Sequence, residues 1–278
     1  MKFSLIVATL GREAEIERLF RSLAEQTHRN FEVIVVDQNP DDRVGKIVQR
    51  YRELLDIVYL RSKKGLSRAR NVGLRAVRGD VVGFPDDDCW YPPQTLEFVA
   101  ARLAAESHLV GVTGRCIDPN GAPSHGRWAK STHLLNRYNI WISATSPTIF
   151  VRSGAIYAVA EFDEQLGVGS GSRWGSGEEV HFLLGVLRAG YPVRYEPSLR
   201  IYHCEPITSY DDRAYLRGRL YNRGFGRVLS VNHYPLFFVL YSAARPAIGC
   251  ALSVLKGDIA RARYYWIAAT QRILGWMD

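Results

Sequence analysis

Three consecutive carboxylates, Asp86, Asp87 and Asp88, follow the apolar run VVGF and precede Trp90-Tyr91-Pro92-Pro93. Acids packed this closely repel one another, and a hard divalent ion such as Mg²⁺ or Mn²⁺ relieves the repulsion while also holding a substrate's phosphates. The alternative is a solvated acidic turn that caps the next helix, where Asp is also favoured. Positive donors for a diphosphate lie in Lys63-Lys64-Gly65-Leu66-Ser67-Arg68-Ala69-Arg70-Asn71. Gly65 permits close backbone approach, Ser67 is a candidate cap, and Arg70 either contacts phosphate or orients the acidic loop.

Asp37 ends the run FEVIVVD, where it could accept the imide N–H of uracil or thymine. As an isolated feature it is equally a turn former. Gly175-Ser176-Gly177 leads into Glu178 and Glu179, acids that suit a helix dipole and that could also act as general base on an acceptor hydroxyl. His203, in IYHCE, is either a structural histidine or the completion of a metal shell. Trp174, Trp128 and Trp141 are candidates to stack on sugar or to fill ordinary core.

Chemistry spread over such distant positions needs a frame that gathers loops. The runs FSLIVA, FEVIVVD, IVYLR and DVVGF alternate with amphipathic stretches near 13–25, 43–54 and 67–77. That alternation predicts a parallel sheet with helices on both sides, whose ligands collect at the carboxyl ends of the strands. Thr9, Leu10 and Arg12, then Asp37, then the three acids fall at those ends. A helix is expected near 178–187 and a strand at 191–195, with mixed strands and Gly-rich loops between 110 and 176. Phe3 to Ala8 reads as the first strand rather than as a secretory leader.

The chain has 278 residues, 47% hydrophobic and 23% charged, which suits a large buried core and excludes disorder, collagen and coiled coil. Its four cysteines are widely spaced, indicating neither a disulfide framework nor a zinc cage, and a reducing cytoplasm is the simpler home. Of the net charge of +8, residues 210–278 carry +6, from ten Lys and Arg against four Asp. Within them, YPLFFVLYSAARPAIGCALSVL is interrupted by Arg245-Pro246 into two runs, each too short to span a bilayer. The stretch is expected to lie in the membrane interface with its flanking cations at headgroups, or to pack as a helical hairpin on the main domain or a second subunit. No nucleic-acid motif accompanies the charge, so no nucleic-acid partner is expected.

Taken in order, Thr9 and Arg12, Asp37, Gly65 with Ala69-Arg70-Asn71, and Asp86-x-Asp88 resemble the family-2 glycosyltransferases of GT-A fold, over roughly Phe3 to Arg227. The resemblance implies a Rossmann-like, mostly parallel central sheet flanked by helices in a catalytic domain over 1–210, to which the composition of the tail adds a basic, apolar helical extension over 211–278. It implies nucleotide-sugar binding by Thr9, Leu10, Arg12, Asp37, Gly65, Ser67, Arg70, Asp86 and Asp87. It further implies Mn²⁺ or Mg²⁺ on Asp86, Asp88 and His203, and an acceptor beside Trp174. Glu178-Glu179 stands where the family has Glu-Asp, whose second acid is the base; with Glu in place of Asp, the choice between the two stays open. Lys63 replaces a frequent Asn, and the Gln-x-x-Arg-Trp motif of processive synthases is absent, which argues for single-sugar addition.

The implied activity is an inverting transfer from a UDP- or dTDP-sugar to a saccharide acceptor, lipid-linked, for a surface polysaccharide. The apolar, cationic tail adds the expectation of a place at the cytoplasmic face of the membrane, with a homo-oligomer compatible. Sugar-phosphate nucleotidyl transfer and a non-catalytic nucleotide-binding module of the same fold are the alternatives.

Overall fold

Ile16, Leu19, Phe20 and Leu23 recur at the spacing of one helix face, and so do Val44, Ile47, Val48 and Tyr51; in both segments these side chains are buried. They belong to helices α1 (Ala14–Ala24) and α2 (Arg43–Tyr51), which alternate with strands β1 (Phe3–Thr9), β2 (Phe31–Asp37) and β3 (Ile57–Arg61) in the computed structural model. The structure describes residues 1–124, 126–159, 161–204 and 209–278. β1 and β2 are buried along their whole length, as strands covered on both faces must be, whereas β3 is half-exposed at the sheet edge.

The chain continues through α3 (Leu66–Leu74), β4 (Val81–Gly83), β5 (Cys89–Trp90), α4 (Thr95–Ala105), β6 (Gly111–Ile117), β7 (His133–Leu134), β8 (Phe150–Arg152) and α5 (Ser153–Tyr157). Then come α6 (Glu178–Arg188), β9 (Val193–His203), α7 (Asp212–Val231), α8 (Leu236–Leu255) and α9 (Ile259–Met277). Two compact units result. The first comprises Met1–Lys64, Arg68–Glu161 and Phe182–Glu205; the second comprises Gly65–Ser67, Phe162–His181 and Pro206–Asp278.

The first unit holds the sheet, in the order β3-β2-β1-β4-β8-β6-β9-β5 with β7 paired to β9 off that path. β1 to β4 pair in parallel, as the alternation predicts. Beyond them the sheet is mixed: β8 runs antiparallel to β4 and β6, and β5 and β7 run antiparallel to β9. These antiparallel pieces are two or three residues long, too short to carry a periodic pattern in the sequence. β9 is longer than the strand expected at 191–195 and ends at His203.

In the second unit α9 packs against both α7 and α8. α7 and α9 approach so closely that a Cβ on Gly226 would collide with the Arg272 carbonyl, and one on Gly275 with the Arg223 carbonyl. The apolar stretch expected to break at Arg245-Pro246 is instead one continuous helix, α8, long and apolar enough to cross a bilayer by length and composition. The reason is local. Pro246 has no N–H to give the carbonyl four residues back, which belongs to Ser242. Arg272 Nη1 donates to that carbonyl at 2.6 Å, while its Nε donates to Asn222 Oδ1 on α7 at 2.9 Å. The guanidinium also lies 4.3 Å over the Phe225 ring. Desolvation, and then the charge of Arg245, bring its pKa down to about 10, so it stays cationic at neutral pH. One side chain thus replaces the missing donor and joins three helices.

Arg272→Met should therefore lower stability in chemical denaturation by about 2–3 kcal/mol, the range for losing charged hydrogen bonds and stranding an acceptor. In a Pro246→Ala background, where residue 246 regains its N–H, the same change should cost about 1 kcal/mol less. Strict additivity of the two substitutions would show that the Ser242 carbonyl is not what Arg272 serves.

Candidate active site

The carboxyl ends of β1, β2 and β3 form one row, in which Thr9 pairs with Asp37 and Asp37 with Arg61. Beside β1, strand β4 stops at Gly83 and leads into the acidic loop before β5. β5 is short, but its antiparallel pairing sets Cys89 opposite His203. That pairing delivers a histidine from the end of β9 to the three acids.

His203 Nε2 lies 3.1 Å from Asp88 Oδ1 and 3.9 Å from Asp86 Oδ2. Its Nδ1 is 2.7 Å from the Cys204 carbonyl, which can only accept, so that contact assigns the proton to Nδ1 and turns Nε2 towards two carboxylates. Lone pairs would otherwise face each other, and the arrangement calls for a cation, either a second ring proton or a metal ion. One ligand atom from each of Asp86, Asp88 and His203 lies within 4.8 Å of the others. Octahedral metal–oxygen bonds of about 2.1 Å put neighbouring ligands about 3 Å apart, so a small inward adjustment fits the three to a divalent ion. The bond from Nδ1 to a backbone carbonyl is the usual support for a metal-binding histidine.

Arg12, from the loop after β1, pairs with Asp88 Oδ2 and reaches Asp87 Oδ1 at 3.3 Å. Arg70 of α3 is 2% exposed and donates to Ser146 Oγ at 2.7 Å and to Asp86 Oδ1 at 3.3 Å. Buried so, it orients the acidic loop. Arg18 of α1 donates to the Asp88 carbonyl at 2.8 Å, its guanidinium 4.0 Å over the Trp90 ring. Burial opposes ionisation of Asp88, but the hydrogen bond and charge of His203, followed by Arg12, hold its carboxyl well below the usual range. Burial pushes Asp87 the other way, up to about 7, against the pull of Arg12 and the Thr9 hydroxyl. His203 is raised: burial disfavours the imidazolium, and the Asp88 hydrogen bond with both acidic charges outweighs it.

Asp37 is fully buried. Its Oδ1 accepts the Asn39 backbone N–H at 2.8 Å and side-chain amide at 2.7 Å; its Oδ2 accepts the Tyr59 hydroxyl at 2.6 Å and Arg61 Nη1 at 2.8 Å. Asn39 Oδ1 in turn accepts the Gly11 N–H at 2.7 Å, pinning the loop that carries exposed Leu10 and half-buried Arg12. Gly11 holds a φ of +73°, in the left-handed region that glycine tolerates. Thr9 is buried.

Of the other expected residues, Gly65, Ser67, Trp174, Glu178 and Glu179 lie in the second unit, and Trp128 and Trp141 in the first. Gly65 precedes α3, and Ser67, inside α3, donates its hydroxyl to the Leu166 carbonyl at 2.6 Å instead of capping the helix. Glu178 is 4% exposed and packs on Gly167, where an added Cβ would come within 3.0 Å of its Oε2. Glu179 is half-exposed. Trp174 donates Nε1 to Asp278 Oδ2 at 2.9 Å and carries Arg227 4.5 Å over its ring. Sequence reasoning missed Arg18, Ser146, Tyr59 and Arg61. Nothing in spacing marks the first two, but Tyr59 and Arg61 are alternate residues of one strand and share a sheet face, which was the available signal.

The family model described as glycosyl transferase family 2 matches residues 4–157, more than half of the chain. The poly(ribitol-phosphate) β-N-acetylglucosaminyltransferase TarS of Staphylococcus aureus is 38% identical over 164 residues, 56% of this chain and 28% of that protein. Hyaluronan synthase of Pasteurella multocida is 36% identical over 110 residues, 38% of this chain and 11% of that one. The chain thus spans less than a third of these curated relatives. Among solved structures, S. aureus TarS 1-349 in complex with UDP-GlcNAc aligns with a TM-score of 0.61 at 20% identity, covering 98% of this chain and 92% of that one. The mannosyltransferase PcManGT of Pyrobaculum calidifontis, in complex with GDP-Man and Mn²⁺, aligns with a TM-score of 0.63 at 18% identity, covering 98% and 87%. These likenesses show the GT-A fold. With its opening strands, acidic loop and the matched span all in one family's order, the chain belongs to glycosyl transferase family 2.

Proposed function

We propose that the protein is a metal-dependent, inverting glycosyltransferase. It moves one sugar from a nucleoside diphosphate sugar, with uracil or thymine as base, to a hydroxyl of a lipid-linked saccharide for a surface polysaccharide. The observation that carries this reading is the cluster of Asp86, Asp88 and His203, oriented by Arg12 and Arg70, at the loop edge of the family's sheet. Mn²⁺ or Mg²⁺ bound there supplies positive charge to the departing diphosphate. Support comes from the solved relatives, one in complex with UDP-GlcNAc and another with GDP-Man and Mn²⁺.

Glu179 is the base. Its exposure, against the burial of Glu178, supports giving it the acceptor's proton. The freed oxygen forms a bond to the anomeric carbon as the carbon–oxygen bond to the diphosphate breaks, and both electrons of that bond leave with the nucleoside diphosphate. A single displacement inverts the anomeric centre and needs no protein nucleophile. Thr9, Leu10 and Asp37 serve the nucleoside, and Trp174 the acceptor.

The same reading puts the protein on the cytoplasmic face of the membrane. Phe237, Tyr241, Ile248 and Leu255 recur along one side of α8 and expose 65%, 71%, 61% and 82% of their surface. No acid occurs in α8, and exposed Lys256, Arg261 and Arg263 follow it. An apolar helix face rimmed by cations suits acyl chains beneath anionic headgroups.

With Mn²⁺ and a panel of nucleotide sugars, the protein should slowly release nucleoside diphosphate, and Asp88→Ala should reduce that release by about a hundredfold or more. Undiminished release removes the metal assignment, and pyrophosphate formed from a nucleoside triphosphate would mean nucleotidyl transfer instead. Glu179→Gln should keep nucleotide binding while slowing transfer by about 10²–10⁴-fold. If Glu178→Gln alone has that signature, the base is Glu178. The full chain should co-sediment with phosphatidylglycerol vesicles, and replacing Phe237, Ile248 and Leu255 together by Asp should abolish this; equal sedimentation of both proteins rules out the α8 face.

A further inference from the structure

The row Thr9–Asp37–Arg61 ends in a guanidinium held by one nitrogen. Arg61 Nη1 donates to Asp37 Oδ2 at 2.8 Å and to the Asp41 carbonyl at 2.8 Å, and lies 3.1 Å from the Tyr59 hydroxyl. Its Nε and Nη2 make no hydrogen bond to any described residue, and 46% of the side chain is exposed. Asp37, its neighbour in the row, is fully buried and each of its oxygens already accepts two hydrogen bonds. A carboxylate so engaged has no lone pair left to offer a nucleobase unless a protein donor yields. What faces solvent at this end of the row is therefore a donor edge of fixed orientation.

Resting on the donor reading above, we infer that Arg61 reads the base of the nucleotide sugar through its Nε and Nη2 donors, and that Asp37 is a positioning residue which aims them. Two N–H groups on a cation select carbonyl oxygen, or a carbonyl oxygen beside a ring nitrogen, and are repelled by an exocyclic amine. The ligand class is a nucleoside diphosphate whose base carries a carbonyl at the pyrimidine 4- or purine 6-position, as uracil, thymine, guanine and hypoxanthine do, against cytosine and adenine, which carry an amine there. Tyr59 holds Asp37 from the adjacent position on the same sheet face, which fixes the angle of the salt bridge and with it the angle of the free edge.

Two ligand pairs isolate the feature. UDP and CDP differ at the pyrimidine 4-position, carbonyl against amine, and inosine diphosphate and ADP differ likewise at the purine 6-position. Titration calorimetry of the full chain with Mn²⁺ should show at least one keto member bound about tenfold or more tighter than its amino counterpart. Arg61→Met and Arg61→Lys should both bring that ratio close to one, chiefly by weakening the keto ligand. The lysine variant keeps a positive charge beside buried Asp37 without the forked edge, so its loss of selectivity, with an unchanged melting temperature, separates base reading from folding. Retained selectivity in both variants, or a wild-type protein that does not discriminate, overturns the assignment to Arg61 and leaves the donor reading intact. Failure of all four diphosphates to bind overturns the donor reading, and this assignment with it.

Discussion

Three carboxylates on consecutive residues must be held against their own repulsion, and the loop edge of the first unit is arranged around that demand. Arg12 comes from the loop after β1, Arg18 from α1, Arg70 from α3 and His203 from the end of β9. They converge because β1 lies beside β4 and β5 lies beside β9. Two of the acids respond differently to one environment. Asp88, closest to the histidine and Arg12, is held well below the usual carboxylate range, while burial pushes Asp87 up to about 7.

The second unit solves a different problem, a break in backbone hydrogen bonding. Pro246 interrupts the ladder of α8, and the helix survives because a side chain from α9 takes the vacated carbonyl. Arg272 can reach it while also holding Asn222 on α7. The glycines at 226 and 275 let the backbones of α7 and α9 close together. A polar tether and two absent side chains thus act on the same trio of helices.

The alternation of apolar runs made β1 to β4 and α1 to α3 legible, because buried parallel strands and amphipathic helices each leave a pattern longer than the element needs. β5, β7 and β8 left none, since two or three residues cannot show a period. The continuity of α8 was illegible for another reason: the donor that repairs Pro246 stands on a different helix. In the site, the order of Asp37, Arg70 and the acidic loop was readable in the chain. The engagement of Asp37 by Asn39, Tyr59 and Arg61 was not, because it depends on register between neighbouring strands. His203 stood out only as a histidine after an apolar stretch, and its partnership with Asp88 comes from the pairing of β5 with β9.

The net charge of +6 beyond residue 210 reads in the sequence as a resource for an anionic partner, yet many of those arginines have partners within the unit. Arg217 lies over Tyr221, Arg227 over Trp174, Arg261 over Tyr210, Arg263 over Tyr215 and Arg272 over Phe225. Stacking on a ring is worth about 0.5–1 kcal/mol at an exposed site and fixes the side chain's direction. Unlike a carboxylate, the ring does not cancel the charge it holds. Arg12 against Asp88, Arg78 against Glu32 and Arg75 against Glu161, in the first unit, are each offset by an opposite charge. Packing and binding therefore do not compete for Arg217, Arg227, Arg261 and Arg263, which aromatic faces order without cancelling their charge, whereas Arg223 is offset by Asp278 and Arg272 is committed to packing.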